Sequence, residues 1–473
     1  MIRKVDICVV GGGPAGMAAA EMAARHGLSV ALLDERPSAG GQIYRGLEDG
    51  PFSTSQALGA EYRQGTNVIT RFRAANVMSF FGVDLWRIDM SETGGVASFV
   101  HDGTSSRLAF GDLILATGAM ERPVPFEGWT LAGVMGVGAA QLLLKTSAVA
   151  PLGRIALAGN GPLLLLFATQ LLKLGVEISA ILDTSPRISR TAAALGHVRG
   201  LVSNAGKVLK GAGYIRAIRR SGVCVYRDVS TLSASGEDRI SAITFEAECG
   251  ARTIEVDALL VHEGIIPNTQ LSRALGCRHV WDRAQKCLRP EIDLYGESSV
   301  ARVFIVGDGA TIAGAVAASA SAQIAVGRIL QRMGCEGKRM RATLRKASKT
   351  CLRERVFRPF LDALYPPRLS STAPDDATIL CRCEEVTAGM LRAAIKDGAI
   401  GPSQAKAFTR CGMGACQGRV CGPIVSQLMS AETGRPIDEV GSYNVRYPLK
   451  PVTVLDMALS GSDVQPEGGE HAA

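Results

Sequence analysis

The sequence predicts an α/β protein in which two dinucleotide-binding units built on parallel sheet precede a separate cysteine-rich module. Three observations predict it. A strand, glycine turn, helix, strand pattern occurs twice, as VDICVVGGGPAGMAAAEMAARHGLSVALLD over 5–34 and as RIALAGNGPLLLLFATQLLKLGVEISAILD over 154–183. The 473 residues are 47% apolar with 54 glycines and only 5% aromatics, which suits an α/β chain rich in tight strand-to-helix turns. Cys381, Cys383, Cys411, Cys416 and Cys421 gather in the strings CRCEEVT and TRCGMGACQGRVCG, while the other seven cysteines are scattered.

In the first unit a short apolar run ends in Gly11-Gly12-Gly13-Pro14-Ala15-Gly16, and an apolar-periodic helix follows directly. Gly11 permits the tight turn, Gly13 lets a pyrophosphate approach the backbone, and Gly16 lets helix and strand pack closely. The phosphate charge then rests on the helix N-terminus. Asp34, at the end of the second strand and followed by Glu35 and Arg36, is placed to accept hydrogen bonds from a ribose. Strand, helix and acid together predict an adenine-dinucleotide site.

The second unit departs from the pattern. Gly159-Asn160-Gly161 begins a phosphate loop, but Leu164 stands at the third glycine position and fills space that close packing and a pyrophosphate would use. Asp183 keeps the ribose position. The expectation is a retained fold whose pocket is closed or used for packing. The competing reading is NADH binding, which would make the chain a self-contained NADH-dependent flavoprotein reductase.

Strand-like alternation marks VDLWRIDM (83–90) and ITFEAECGARTIEVDALLV (243–261), and VFIVGDGA (303–310) leads into a small-residue helix. Residues 336–358 carry nine basic residues, and YPPRLSSTAPDD follows; together they read as a basic helix and linker. The tail beyond about 455 is expected to lack order.

Composition excludes several classes. The balance of 52 basic against 44 acidic residues, +8, is mild, and no basic stripe carries interleaved aromatics, so no nucleic-acid binding is expected. The N-terminal apolar run is interrupted by a glycine-rich turn, unlike a signal peptide. The stretch Leu163 to Leu182 contains Gln170, Lys173 and Glu177, too polar for a transmembrane segment. No disulfide framework is legible, so a soluble protein of the reducing cytoplasm is expected, with the scattered cysteines as small buried apolar residues. None of the six histidines, His262 included, lies beside a Ser or Cys in a nucleophile-like string.

Clustered thiolates are soft ligands suited to zinc or iron. The Cys381-x-Cys383 spacing is tighter than the usual zinc hairpin, so iron is favoured over zinc. No close cysteine pair follows the GG turn or lies in the second unit, which argues against disulfide reduction.

Three further strings carry a family resemblance: Gly40-Gly41-Gln42 soon after Asp34, Thr117-Gly118 in LILATGAMERPVP, and Gly307-Asp308 in IVGDG. In this order they resemble the two-dinucleotide-binding-domain flavoproteins of the thioredoxin-reductase-like superfamily. The resemblance implies FAD in the first site, with Gly41 and Gln42 near the flavin, Thr117 and Gly118 passing the cofactor, and Asp308 at its ribityl–pyrophosphate region. The cysteine strings resemble the bacterioferritin-associated-ferredoxin-like [2Fe-2S] domain, in the variant with GMGxCQGxxC. That resemblance implies Cys381, Cys383, Cys416 and Cys421 as ligands and leaves Cys411 as a neighbour.

The motifs as a set resemble the alpha-type subunits of heteromeric flavin-dependent amine dehydrogenases. That group holds the alpha-type chains of opine oxidase, of hydrogen cyanide synthase and of D-hydroxyproline dehydrogenase. The corresponding chain of sarcosine oxidase is a more distant relative. The resemblance implies a beta subunit of the D-amino-acid/glycine oxidase type that oxidises the amine on its own FAD. A small third subunit, together with FMN at the partner interface, belongs to the same expectation, with the electron acceptor unspecified. The expected domains are 1–145, the first part of the FAD-binding domain; 146–265, the second dinucleotide domain; 266–335, the FAD-domain return segment; 336–375, basic helix and linker; 376–440, the [2Fe-2S] domain; and 441–473, the tail.

Overall fold

The structure, a computed structural model, describes residues 3–53, 58–186, 196–335, 337–369 and 374–461. The first apolar run forms β1 (Arg3–Val10), the glycine turn leads into α1 (Pro14–Arg25), and β2 (Val30–Asp34) closes the unit. Every residue of β2 is buried, as expected of a strand covered on both faces. β3 (Met78–Phe81), β4 (Asp84–Ser91), β5 (Gly94–His101) and β6 (Thr104–Leu115) extend the sheet in the order β3-β2-β1-β6-β5-β4, and strand Val303–Ile305 pairs with β6. β3, β2, β1, β6 and Val303–Ile305 run parallel, so their carboxyl ends share one edge. Alanines of α1 and of helix Ala315–Arg332 occupy one core, and their small side chains let the two helices approach closely.

The second unit is a five-stranded parallel sheet, ordered Cys224–Arg227, Ile178–Asp183, Ile155–Asn160, Ala258–Glu263, Val134–Gly136. The boundary expected after residue 145 therefore lies earlier, because Val134–Gly136 is an edge strand of the second sheet. Three residues are too few to show a period. The alternating stretch 243–261 folds as two strands of a small antiparallel sheet, Ala242–Ala247 and Gly250–Glu255, and then as central strand Ala258–Glu263. The chain crosses back to the first domain through the pair Ala119–Glu121 and Ile265–Pro267.

Basic helix Lys338–Leu364 packs on Ala315–Arg332, burying Met340 and Ala347, and Gly327 leaves room for the Leu344 side chain. The cysteine module follows as a hairpin, Ile379–Cys381 with Val386–Thr387, and helices Ala388–Lys396, Pro402–Thr409, Gly422–Thr433 and Ile437–Val440. The Thr387 hydroxyl caps the first of these by accepting from the Met390 amide at 3.3 Å. Its core joins Leu380, Leu391, Val425 and Met429 to three cysteines.

Two expectations fail. Helix Val454–Gly461 forms beyond the point where order was expected to end, and the Ser105 hydroxyl donates to the Asp456 carbonyl at 2.9 Å. Residues 462–473 lie outside the described residues. Upstream, alternate apolar residues Val445, Tyr447 and Leu449 pack on the core of the first sheet, a period-two signal that tail composition concealed. Of the scattered cysteines, Cys8, Cys277 and Cys287 are buried, but Cys224, Cys249 and Cys335 are exposed.

Candidate functional site

Four loops converge at the shared carboxyl edge of the first sheet. Gly11 has φ +109°, and a Cβ on Gly16 would stand 1.8 Å from the Gly11 carbonyl oxygen, so helix and strand meet at a distance only glycine allows. Gly41 faces Gly13: a Cβ on Gly41 would lie 2.8 Å from the Gly13 Cα. Pro14 and Ala15 open α1, and a Cβ on Gly307 would stand 2.9 Å from the Ala15 Cβ. Gly309 lies against Thr117 Oγ1 and the Gly118 amide in the same way, at 3.2 and 3.3 Å. The GGGPAG turn, the loop of Gly41 and Gln42, Thr117-Gly118 and Asp308 are thus brought together from distant parts of the chain.

The carboxylates are fixed by backbone donors. Asp34, buried at the end of β2, accepts from the amides of Gly12 and of Arg36, the latter at 2.7 Å. Burial raises its pKa, and those two donors oppose the rise. A carboxylate accepts about four hydrogen bonds, so ribose hydroxyls can still be taken. Glu35 pairs with Arg36 at 3.3 Å and with Lys450 at 2.7 Å, so the C-terminal segment braces the carboxyl end of β2. Asp308 accepts through Oδ1 from the amides of Ala313 and Gly314 at 2.9 and 3.0 Å, and burial raises its pKa too. Sequence reading passed over Lys145, whose Nζ donates to the carbonyls of Gln42 and Ile43 at 3.3 and 3.1 Å. Burial pushes its ammonium down to about 8. Open amides at the α1 N-terminus, glycine faces without Cβ, and a carboxylate at the ribose position fit a dinucleotide.

The second crevice is built differently. Leu164 is buried, and Asn160 of the phosphate loop donates to the Thr184 hydroxyl and the Pro366 carbonyl, each at 3.0 Å. Glu263 accepts from the Thr184 hydroxyl at 3.2 Å and from the amides of Arg368 and Leu369 at 3.2 and 2.8 Å. Linker residues 366–369 therefore lie across the carboxyl ends of these strands, where a nucleotide would enter. His262 is a buried packing residue, its Nδ1 bonded to Glu121 at 2.7 Å.

In the cysteine module the sulfurs of Cys381, Cys411 and Cys421 lie within 4.8 Å of one another, all buried. The Gly412 amide donates to the Cys381 sulfur at 3.5 Å. Hydrogen bonds from the Cys411 and Cys421 thiols hold Cys381 well below the usual thiol range, and the same contacts raise Cys421 and push Cys411 up to about 11. Cys383 stands beside Cys416, whose amide faces its sulfur, and burial raises its pKa. Two of the four expected ligands thus meet Cys411 in a buried trio, and the other two pair next to it on the solvent side. Cys411 enters because 411, 416 and 421 recur every five residues through a loop that turns at Gly412, Gln417 and Gly418, each with positive φ. Five thiols, all free, are gathered in this loop and match the soft donor set an iron–sulfur cluster needs.

One short segment joins the two sites. The Asn268 carbonyl accepts from the Thr117 hydroxyl at 3.1 Å, and its amide donates to the Gly118 carbonyl at 3.0 Å. Two residues on, the Gln270 side chain donates to the Gln417 carbonyl at 3.1 Å. Three extended residues span at most about 10 Å. Arg273 extends the joint by donating to the Ser442 hydroxyl at 2.9 Å and to the Tyr443 carbonyl. Trp129 of the second domain donates to the Ile379 carbonyl at 2.7 Å, so both domains grip the module.

Comparison with known proteins agrees with this geometry. Residues 5–326 match the pyridine nucleotide-disulphide oxidoreductase family, and residues 379–431 match the BFD-like [2Fe-2S] binding domain. The chain is 38% identical to the A subunit of opine oxidase from Rhizobium meliloti strain 1021, over 96% of this chain and 98% of that protein. It is 33% identical to the HcnB subunit of hydrogen cyanide synthase from Pseudomonas aeruginosa, over 94% and 96% of the two chains. Among solved structures, L-proline dehydrogenase from P. horikoshii shares the fold, with a TM-score of 0.70 at 18% identity over 97% of this chain and 80% of that one. Among the described residues no helix is long and apolar enough to cross a membrane. This chain is an oxidoreductase that belongs to the pyridine nucleotide-disulphide oxidoreductase family, in the group of the opine oxidase A subunits, with a BFD-like [2Fe-2S] binding domain at its C-terminal end.

Proposed function

We propose that this chain is the electron-transferring flavin and iron–sulfur subunit of a heteromeric amine dehydrogenase or oxidase acting on an opine, D-hydroxyproline or a similar imino or amino acid. FAD occupies the first site, with its pyrophosphate against Gly13, Pro14, Ala15 and Gly16, its ribose at Asp34, and its flavin side toward Gln42, Thr117 and Asp308. The cluster is held by Cys381, Cys383, Cys416 and Cys421, with Cys411 behind them. A flavin accepts two electrons as hydride and releases them singly to a cluster that takes one at a time. The amine is oxidised on a partner subunit of the D-amino-acid/glycine oxidase type. FMN at the interface and a small third subunit complete the assembly. Twelve unpaired cysteines suit a cytoplasmic setting.

The observation that carries this reading is the segment Asn268–Gln270, which touches the flavin-side loop at Thr117-Gly118 and the cysteine loop at Gln417. The linker across the second crevice favours electrons arriving from a partner over electrons from NADH. The test is to purify the native assembly, measure flavin, iron and acid-labile sulfide, and then add NADH to the chain alone. The expected result is a flavin and a two-iron centre on this chain, with the flavin absorbance unchanged by NADH and bleached by the amine when the partner is present. Rapid bleaching by NADH without the partner would establish the self-contained reductase instead.

A further inference from the structure

Beyond Val440 the chain turns back under the cysteine loop and places Tyr443 there, 3% exposed, with its hydroxyl buried and without a hydrogen-bond partner. A buried hydroxyl left unpaired is unfavourable, because it loses its bonds to water and gains none in exchange. Its neighbours are sulfurs: the side chain packs in one buried cluster with Cys381, Cys411 and Cys421.

The ring has no freedom to turn elsewhere. Added Cβ atoms on Gly412, Gly418 and Gly422 would stand 2.8, 2.5 and 3.3 Å from its atoms, so three glycines of the cysteine loop form its slot. The Lys406 ammonium sits 5.3 Å from the ring centroid. The backbone is tied as firmly, by Arg273 to the Tyr443 carbonyl, by the Ser426 hydroxyl to the Gly441 carbonyl at 2.8 Å, and by the Asn444 amide to the Ser403 hydroxyl at 3.0 Å. The ring is therefore fixed with its hydroxyl buried against the cysteine cage, where the sulfurs are the acceptors at hand.

We propose that Tyr443 is a positioning residue of the iron–sulfur centre, its hydroxyl donating a hydrogen bond to a cluster sulfur at Cys421 and thereby raising the reduction potential. This deepens the proposed electron-transfer role and rests on it. Reduction adds negative charge to the cluster, and a donor directed at a sulfur stabilises the more negative state. The Lys406 charge acts in the same direction, but removing the hydroxyl alone leaves ring and lysine in place.

The test uses the native assembly carrying Tyr443→Phe, with iron and labile sulfide measured first. The expected result is an unchanged cluster content, with the midpoint in an EPR-monitored redox titration falling by about 59 mV, a tenfold change in the one-electron reduction equilibrium. In wild-type protein transferred to D2O, pulsed EPR of the reduced centre should show an exchangeable proton coupling that Tyr443→Phe lacks. A fully loaded Tyr443→Phe protein with the wild-type midpoint would overturn the proposal. So would a wild-type centre without that exchangeable coupling, which decides the matter even where Tyr443→Phe fails to assemble a cluster. Absence of iron and sulfide from the wild-type assembly would instead remove the parent reading, and this inference with it.

Discussion

Gly414→Ala tests the cysteine cage at its tightest point. Gly414 has no positive φ, so alanine is tolerated by the backbone and the effect is steric. The added Cβ would stand 2.2 Å from the Cys383 Cβ and 3.1 Å from its sulfur. Carbon atoms in contact prefer about 3.5 Å or more, so Cys383 must move by roughly 1.3 Å. Metal–ligand distances tolerate only about 0.2 Å. A shift several times that tolerance removes Cys383 as a ligand, and metal affinity should fall at least about 10–100-fold. The overpacking itself costs only about 1–3 kcal/mol and lies far along the chain from the first sheet, so flavin should stay bound. The assay is iron and labile sulfide per chain beside flavin absorbance. The expected outcome is a flavin-replete, iron-poor protein; full iron with an unaltered EPR spectrum would show that Cys383 is not a ligand.

Serine at Cys381, Cys383, Cys416 or Cys421 should each abolish the EPR signal of the centre, whereas Cys411→Ser should keep it; loss at Cys411 with retention at Cys416 would reverse the assignment. Gly41→Ala forces a side chain at φ +60° and 2.8 Å from the Gly13 Cα, so flavin content should fall while iron remains. Lys145 in the folded protein titrates near 8 rather than 10.5 because of burial, so between those values the unfolded chain binds more protons and stability should rise with pH, by up to about 3 kcal/mol. The Tm of wild type relative to Lys145→Met should accordingly climb from pH 8 to pH 10, and a pH-independent difference would refute the buried charge.

Both strand–turn–helix–strand units were legible because their signals are local: a run of buried residues, a glycine turn, a helical period and a terminal acid within thirty residues of chain. Leu164 and the missing glycine were equally local, and they singled out the second crevice as different. What covers it was not legible. Pro366, Arg368 and Leu369 sit in a proline-containing linker whose composition says loop and nothing about where the loop lies. Strand Val134–Gly136 is too short to show a period, and the period-two signal of Val445, Tyr447 and Leu449 was concealed by the composition of the tail around it.

The cysteine site marks the limit most sharply. Spacing reports which residue types could bind a metal, but a loop with three positive-φ turns decides which sulfurs meet, and it brought Cys411 into the buried trio. Tyr443 and Arg273 carry no motif at all; Arg273 matters because residues 266–335, to which it belongs, serve two sites at once. That return segment supplies Asp308 to the first crevice and, at its start, Asn268, Gln270 and Arg273 to the joint with the cysteine module. A chain that interrupts its first domain with a second must return to complete the first, and the strand pair Ala119–Glu121 with Ile265–Pro267 is where it does so. The residues just past that crossing necessarily emerge beside Thr117-Gly118. A module placed C-terminally and gripped by those residues is therefore held next to Thr117-Gly118 by connectivity, and under the proposed function that brings flavin and cluster together before any direct contact between them has to be selected.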